Sequence, residues 1–197
     1  MLRIFVFFLC MCLALGNGQV LAQQVGVGAF GVKGGLNISS LGGNESQLGS
    51  AKFGLHAGFY YAVRISDRIA FQPELVFSQQ GYQINDALTD AFAVNYNYLN
   101  LPLIAKIYVA DGTSVQLGPQ LGYLLNSTDL YPIKKFDIAL ALGLGYEMGS
   151  GLNFGLRYNL GLTNTIVNSP NFNPSSTNRV FQVSIGYTFG NQLAGSR

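Results

Sequence analysis

Residues 135–162 read KFDIALALGLGYEMGSGLNFGLRYNLGL. Every second residue before the GSG turn is large and apolar: Phe136, Ile138, Leu140, Leu142, Leu144, Tyr146 and Met148. The residues between them are small or charged: Asp137, Ala139, Ala141, Gly143, Gly145 and Glu147. Past the turn, Leu152, Phe154, Leu156, Tyr158, Leu160 and Leu162 continue the apolar set, and Asn153, Gly155, Arg157, Asn159 and Gly161 the other. Side chains alternate across a strand, so a period of two specifies a β-hairpin. A soluble sheet buries its large apolar face against another layer, but no amphipathic helix occurs in this sequence to supply one. The cover is therefore lipid, and backbone groups in lipid can be satisfied in strands only if the sheet closes.

Composition agrees. Charged residues make up 10 % of the 197-residue chain, against ~25 % in soluble domains, and glycine contributes 25 residues. Beyond the N-terminus no apolar run reaches the ~18 residues of a membrane helix. A net charge of +2 gives no basic footprint for nucleic acid. Arg3 followed by the apolar residues 4–15 and by Val20-Leu21-Ala22 reads as a secretory leader, residues 1–22, removed before Gln23. Both cysteines, Cys10 and Cys12, fall within it, so the mature chain, 23–197, has no thiol for disulfides or metal.

The same parity extends over the remaining chain. Strands are predicted at 28–38, 52–65, 69–82, 96–109, 114–125, 135–148, 152–162 and 179–189. The fold class is all-β: an eight-stranded antiparallel up-and-down transmembrane barrel with a small polar-filled lumen. Three tight turns alternate with four longer loops, 39–51, 83–95, 126–134 and 163–177. This is the pattern of short periplasmic turns and longer outer loops, which places both termini in the periplasm. Facing parity requires each tight turn to hold an odd number of residues, with Gly112 and Gly149 or Gly151 serving two of them. Pro73, Pro102 and Pro119 lie inside strands of a barrel that has no edge, so bulges or locally broken pairing are expected there.

Sorting charges by parity puts Lys33, Lys52, Arg64, Glu74, Lys106, Asp137, Glu147 and Arg157 on the glycine side. Arg or Lys facing mid-bilayer would cost about 2–4 kcal/mol, which accounts for the sorting. Lys33, Arg64, Glu74, Lys106, Asp137, Glu147 and Arg157 form the predicted lumen charge network, paired as buried charge requires. Inward glycines make room for these long side chains, so Gly155→Ala is expected to crowd the lumen. His56 is the only histidine and faces inward. An arrangement with Ser78 and a carboxylate can be drawn, but no local nucleophile motif accompanies it. No catalytic residue, cofactor or metal site is expected, since one histidine without cysteine is a poor ligand set.

Several stretches resemble the PorT-like family of Gram-negative outer-membrane β-barrel proteins. They are Gly31-x-Lys33-x-Gly35-x-Asn37, Phe71-Gln72-Pro73-Glu74-Leu75, Tyr98-Leu99-Asn100-Leu101-Pro102-Leu103, Gly118-Pro119, Gly143-x-Gly145-Tyr146-Glu147 and 157–164, RYNLGLTN. Asn100 departs from the family, which often carries Glu there. The resemblance implies an eight-stranded barrel in the cell outer membrane and, for the family's namesake, a link to protein secretion. Tyr187-Thr188-Phe189 is similar to the terminal aromatic signature read by the barrel-insertion machinery, although 190–197 follow it. The expected partners are outer-membrane lipid, that machinery, and protein or ligand contacts through the four loops, with no nucleic acid. The function read from the sequence is non-enzymatic: a structural, loop-binding or secretion-associated barrel, with a narrow porin as the alternative. A soluble ligand-binding barrel would need the opposite facing, an apolar lumen and a polar exterior.

Leu156→Arg should lower the yield of folded, membrane-inserted protein, by the ~2–4 kcal/mol of a mid-bilayer cation. Refolding into detergent and scoring the heat-dependent gel shift measures this. A yield equal to the parent's would refute the assigned facing.

Overall fold

In a computed structural model, residues 28–43, 50–84, 92–128, 133–164 and 176–189 are described. The leader 1–22 and the tail 190–197 lie outside them. The strands are β1 (Gly28–Gly43), β2 (Ser50–Ser66), β3 (Ile69–Ile84), β4 (Phe92–Ala110), β5 (Thr113–Ser127), β6 (Phe136–Glu147), β7 (Leu152–Gly161) and β8 (Ser176–Phe189). Each pairs antiparallel with its sequence neighbours, and β8 returns to β1 to close an eight-stranded barrel. Phe30 pairs with both Tyr61 and Phe189, so the described chain ends lie at the tight-turn end.

Facing follows the sequence parity on every strand. Phe30, Phe59, Leu75, Leu117, Leu144, Leu156 and Ile185 are among the large apolar side chains exposed on the outer wall. An apolar surface of that extent requires a nonaqueous cover. Phe30 and Tyr61 pack at 4.8 Å and Tyr187 and Phe189 at 5.2 Å near the tight turns. Tyr123 and Phe136 pack at 5.2 Å toward the other end. These are the two aromatic girdles of a membrane barrel. Ile38, eight residues beyond Phe30 on β1, pairs with Phe53 and Phe181 toward the loop end. At ~3.3 Å per residue and a tilt near 40°, Phe30 and Ile38 stand roughly 20 Å apart along the axis, within the ~25 Å apolar band.

The tight turns reach the required parity by two routes. Gly149-Ser150-Gly151 is the expected three-residue turn, closed by Met148 N donating to Leu152 O at 2.8 Å, with Gly151 at φ +92°. The other two hold two residues, not an odd number: Asp67-Arg68 between paired Ser66 and Ile69, and Asp111-Gly112 between paired Ala110 and Thr113. In each, one bulged residue, Ile65 or Val109, restores the facing and places an extra apolar side chain outward at the rim. Gly112, at φ +71°, occupies the left-handed region that its turn needs.

The prolines give the second of the two expected outcomes, broken pairing. The ladder skips Tyr61–Ala62 against Gln72–Pro73, then Glu74–Leu75 against Leu101–Pro102, then Leu103–Ile104 against Gly118–Pro119. After each gap the register resumes unshifted. Proline lacks the donor that the ladder needs, so pairs are lost, but no residue is added and facing is kept. Across the third gap the strands are close. A Cβ on Gly118 would stand 1.9 Å from Leu103 O. Gly155 differs: a Cβ there meets nothing nearer than 3.7 Å, so the expected crowding by Gly155→Ala is corrected to ordinary contact.

Strand lengths correct the loop bounds as well. β1 runs on to Gly43, β3 to Ile84, β5 to Ser127, and β4 and β8 begin at Phe92 and Ser176. The interstrand parts of the predicted loops thus shrink to 44–49, 85–91, 128–135 and 162–175, and much of these ranges lies outside the described residues. The reason is an inversion of polarity at the loop end. There the outward residues are polar, Ser40, Gln83, Asn95, Asn97 and Asn126, while Leu41, Tyr82, Val94, Tyr96, Tyr98 and Leu124 form an inward apolar cluster. Above the bilayer the outer wall meets water, so the barrel there is built as a soluble protein is, apolar inside.

Candidate functional site

The inward face of the membrane-spanning wall is polar, and its centre is Glu74. This side chain comes from β3 and is 2 % exposed. Arg157, on β7, lies diametrically opposite in the eight-strand ring. Arg157 Nη1 donates to Glu74 Oε2 at 2.9 Å, and Nη2 donates to Oε1 at 2.8 Å. Lys33 Nζ adds a bond to Oε2 at 2.6 Å, and Gln72 Nε2 one to Oε1 at 2.8 Å. Four donors thus saturate both carboxylate oxygens, the condition under which a buried charge is tolerated. Arg157 Nη2 also donates to Gln116 Oε1 at 2.8 Å, tying in β5. The side chains therefore span the full diameter of the tube.

Toward the tight turns lies a second pair. Lys106 Nζ donates to Glu147 Oε1 at 2.6 Å, and Tyr108 OH donates to Oε2 at 2.9 Å. Arg64 stacks over the Tyr108 ring, 4.6 Å from its centroid. Tyr60 OH, Thr188 Oγ1 and Asn153 Nδ2 form a small network beside it, at 2.7–3.2 Å. Toward the loops, Asn37 Oδ1 accepts from His56 Nδ1 and from Gln182 Nε2, both at 2.9 Å. Higher still, Asn178 Nδ2 donates to Tyr98 OH at 3.3 Å, beneath the tyrosine cluster. β8 and β4 are again opposite each other in the ring, so a second bridge crosses the lumen.

Of the predicted charge network, Lys33, Glu74 and Arg157 meet directly, and so do Lys106 and Glu147. Arg64 joins the second pair through Tyr108. Asp137 stands apart at the loop end, accepting from Thr163 Oγ1. Lys52 is likewise at the loop end, donating to Asn95 Oδ1. The amides that complete the lumen, Asn37, Gln72, Gln116, Asn153 and Gln182, were not singled out, although inward parity marks each of them.

The His56 ring is buried between Asn37 and Ser184. Asn37 Oδ1 can only accept, so Nδ1 carries the proton and bare Nε2 accepts from Ser184 Oγ at 3.0 Å. Ser78 faces His56 in register, but its Oγ accepts instead from Asn37 Nδ2 and Gln80 Nε2, each at 3.0 Å. The cavity beside Ser184 measures about 20 Å³, room for one water and not for an acyl substrate. The arrangement fixes side chains; it does not present a nucleophile. Among the described residues, no group of three or more His, Cys, Asp or Glu side chains comes together as a metal site would need.

Residues 22–167 match the family described as outer membrane protein beta-barrel domain. The chain belongs to this family. Its members' fold recurs in Neisserial surface protein A, whose crystal structure superposes with a TM-score of 0.51 at 12 % identity, over 81 % of this chain and 97 % of that one. OprG from Pseudomonas aeruginosa gives 0.48 at 11 % identity, over 85 % and 98 %. Ail of Yersinia pestis gives 0.47 at 12 %, over 82 % and 99 %. Comparison with curated protein sequences gives no match. The chain is thus an outer-membrane β-barrel.

Glu74→Gln keeps the shape but leaves Lys33 and Arg157 buried without their counter-charge, a loss of about 3–5 kcal/mol. Urea unfolding in detergent micelles, followed by gel mobility, should show a much lower midpoint than the parent. A midpoint equal to the parent's would mean that the bridge contributes nothing.

Proposed function

We propose that this protein is a non-enzymatic barrel of PorT-like type, whose wall serves as an anchor and whose specific contacts lie on its outer loops. In this reading the leader 1–22 is removed, the barrel-insertion machinery places 23–197 in the outer membrane, and both termini face the periplasm. The loops within 39–51, 83–95, 126–134 and 163–177 then stand outside the cell, where a binding or secretion-associated role would be exercised.

The observation that supports an anchor over a channel is the Arg157–Glu74 bridge. It joins opposite walls of the tube, with Lys33, Gln72 and Gln116 filling the same cross-section. A solute moving along the axis would have to break a saturated buried ion pair at every passage. Planar-bilayer recording of the refolded protein separates this reading from a narrow porin. Silence under voltage is expected for the parent. Stable, reproducible conductance steps in the parent would overturn the anchor reading in favour of the porin.

A further inference from the structure

The lower lumen carries more positive charge than its carboxylates can neutralise. Lys33, Lys106 and Arg157 face Glu74 and Glu147, three cations against two anions, and Arg64 lies beyond them over Tyr108. Hydrocarbon surrounds this tube, so the excess cannot be screened through the wall.

Between the two ion pairs lies the cavity of about 20 Å³, lined by Lys33, Lys106 and Arg157 and also by Glu147, Gln72, Gln116 and Ser184. It holds one particle of about the size of water. Its walls set three cationic donors beside one carboxylate, Glu147, whose oxygens are taken up by Lys106 Nζ and Tyr108 OH. Arg157 is 5 % exposed, yet its Nε has no hydrogen-bond partner. Lys33 and Lys106 each direct one N–H at a carboxylate and have three to offer.

We propose that this cavity binds a single small monovalent anion of halide size, held by Lys33, Lys106 and Arg157. One such charge balances the third of these cations, and Arg64 leaves the lower lumen one positive charge in excess. Tetrahedral oxyanions such as phosphate or sulfate exceed the space. The site owes nothing to the loops, and it stands whether or not the anchor reading does. Gln72 also lines the cavity and its Oε1 lacks a partner, a feature that suits water, which is the competing occupant.

Crystals of the refolded barrel grown in sodium bromide, measured at the bromine absorption edge, test this directly. One anomalous peak is expected in the cavity, beside Lys33 Nζ and Lys106 Nζ. In solution, the thermal midpoint of the parent is compared in chloride and in gluconate, an anion too large for the cavity, at matched ionic strength. With chloride ~100-fold above its Kd, the midpoint should rise by about 5 °C or more. Lys106→Met should remove that difference while keeping the gel mobility of the folded form. If this variant does not fold, the two parent measurements still decide. A bromide map with no peak in the cavity, water being the sole occupant, overturns the proposal, as do equal midpoints in the two salts.

Discussion

Hydrocarbon offers no hydrogen-bond partner to a backbone amide and no solvation to a charge. Those two refusals shape this protein. The first demands that the eight strands close, because an open edge in lipid would leave a row of unpaired groups. The second demands that every charge in the spanning wall point inward. Once inside, the charges must satisfy one another, and the saturated Glu74 carboxylate is where that requirement is met most fully. A tube of eight strands is narrow enough for Glu74 and Arg157 to meet across its diameter, so closure and neutralisation support one another.

The proline gaps show how much irregularity this arrangement tolerates. Three adjacent strand junctions each lose ladder pairs near Pro73, Pro102 and Pro119, and still the register is unchanged on either side. Facing parity, not an unbroken ladder, is what the membrane imposes. The same rule explains the tight turns. Two-residue turns would reverse the facing of the next strand, and the single bulged residues Ile65 and Val109 cancel that reversal.

Much of the fold was legible in the sequence because one face of each strand is written in a single chemistry over the height of the bilayer. Leu156 and its neighbours on β7 needed nothing beyond their spacing. The loop end was not legible for the same reason. Above the upper girdle the outer solvent changes from lipid to water, so Asn95 and Asn97 face out while Tyr96 and Tyr98 face in. That stretch of β4 inverts the code used below it, so the strand is read only from Tyr96 and the residues before it, up to Asn95, as loop. The membership of the charge network was legible, but its pairing was not. Parity places Glu74 and Arg157 inside the same tube; only strand register and tilt bring two residues 83 positions apart to one height. Asp137 shares that parity with the network and is separated from it by height, whereas Lys52, beside a register shift in β2, reaches the outward-facing Asn95. The role of His56 also depended on neighbours that sequence spacing hides, Asn37 and Ser184 on two other strands.

The facing of the wall is open to direct measurement. Single cysteines placed in turn at Asn153, Phe154, Gly155, Leu156, Tyr158 and Asn159 of β7 can be spin-labelled in the reconstituted barrel, and their collision rates with lipid-dissolved oxygen measured. The expected profile alternates with a period of two: high at Phe154, Leu156 and Tyr158, low at Asn153, Gly155 and Asn159. High oxygen access at Asn153, Gly155 and Asn159, or a profile with no alternation, would contradict a barrel that turns its apolar face to lipid and encloses its charges.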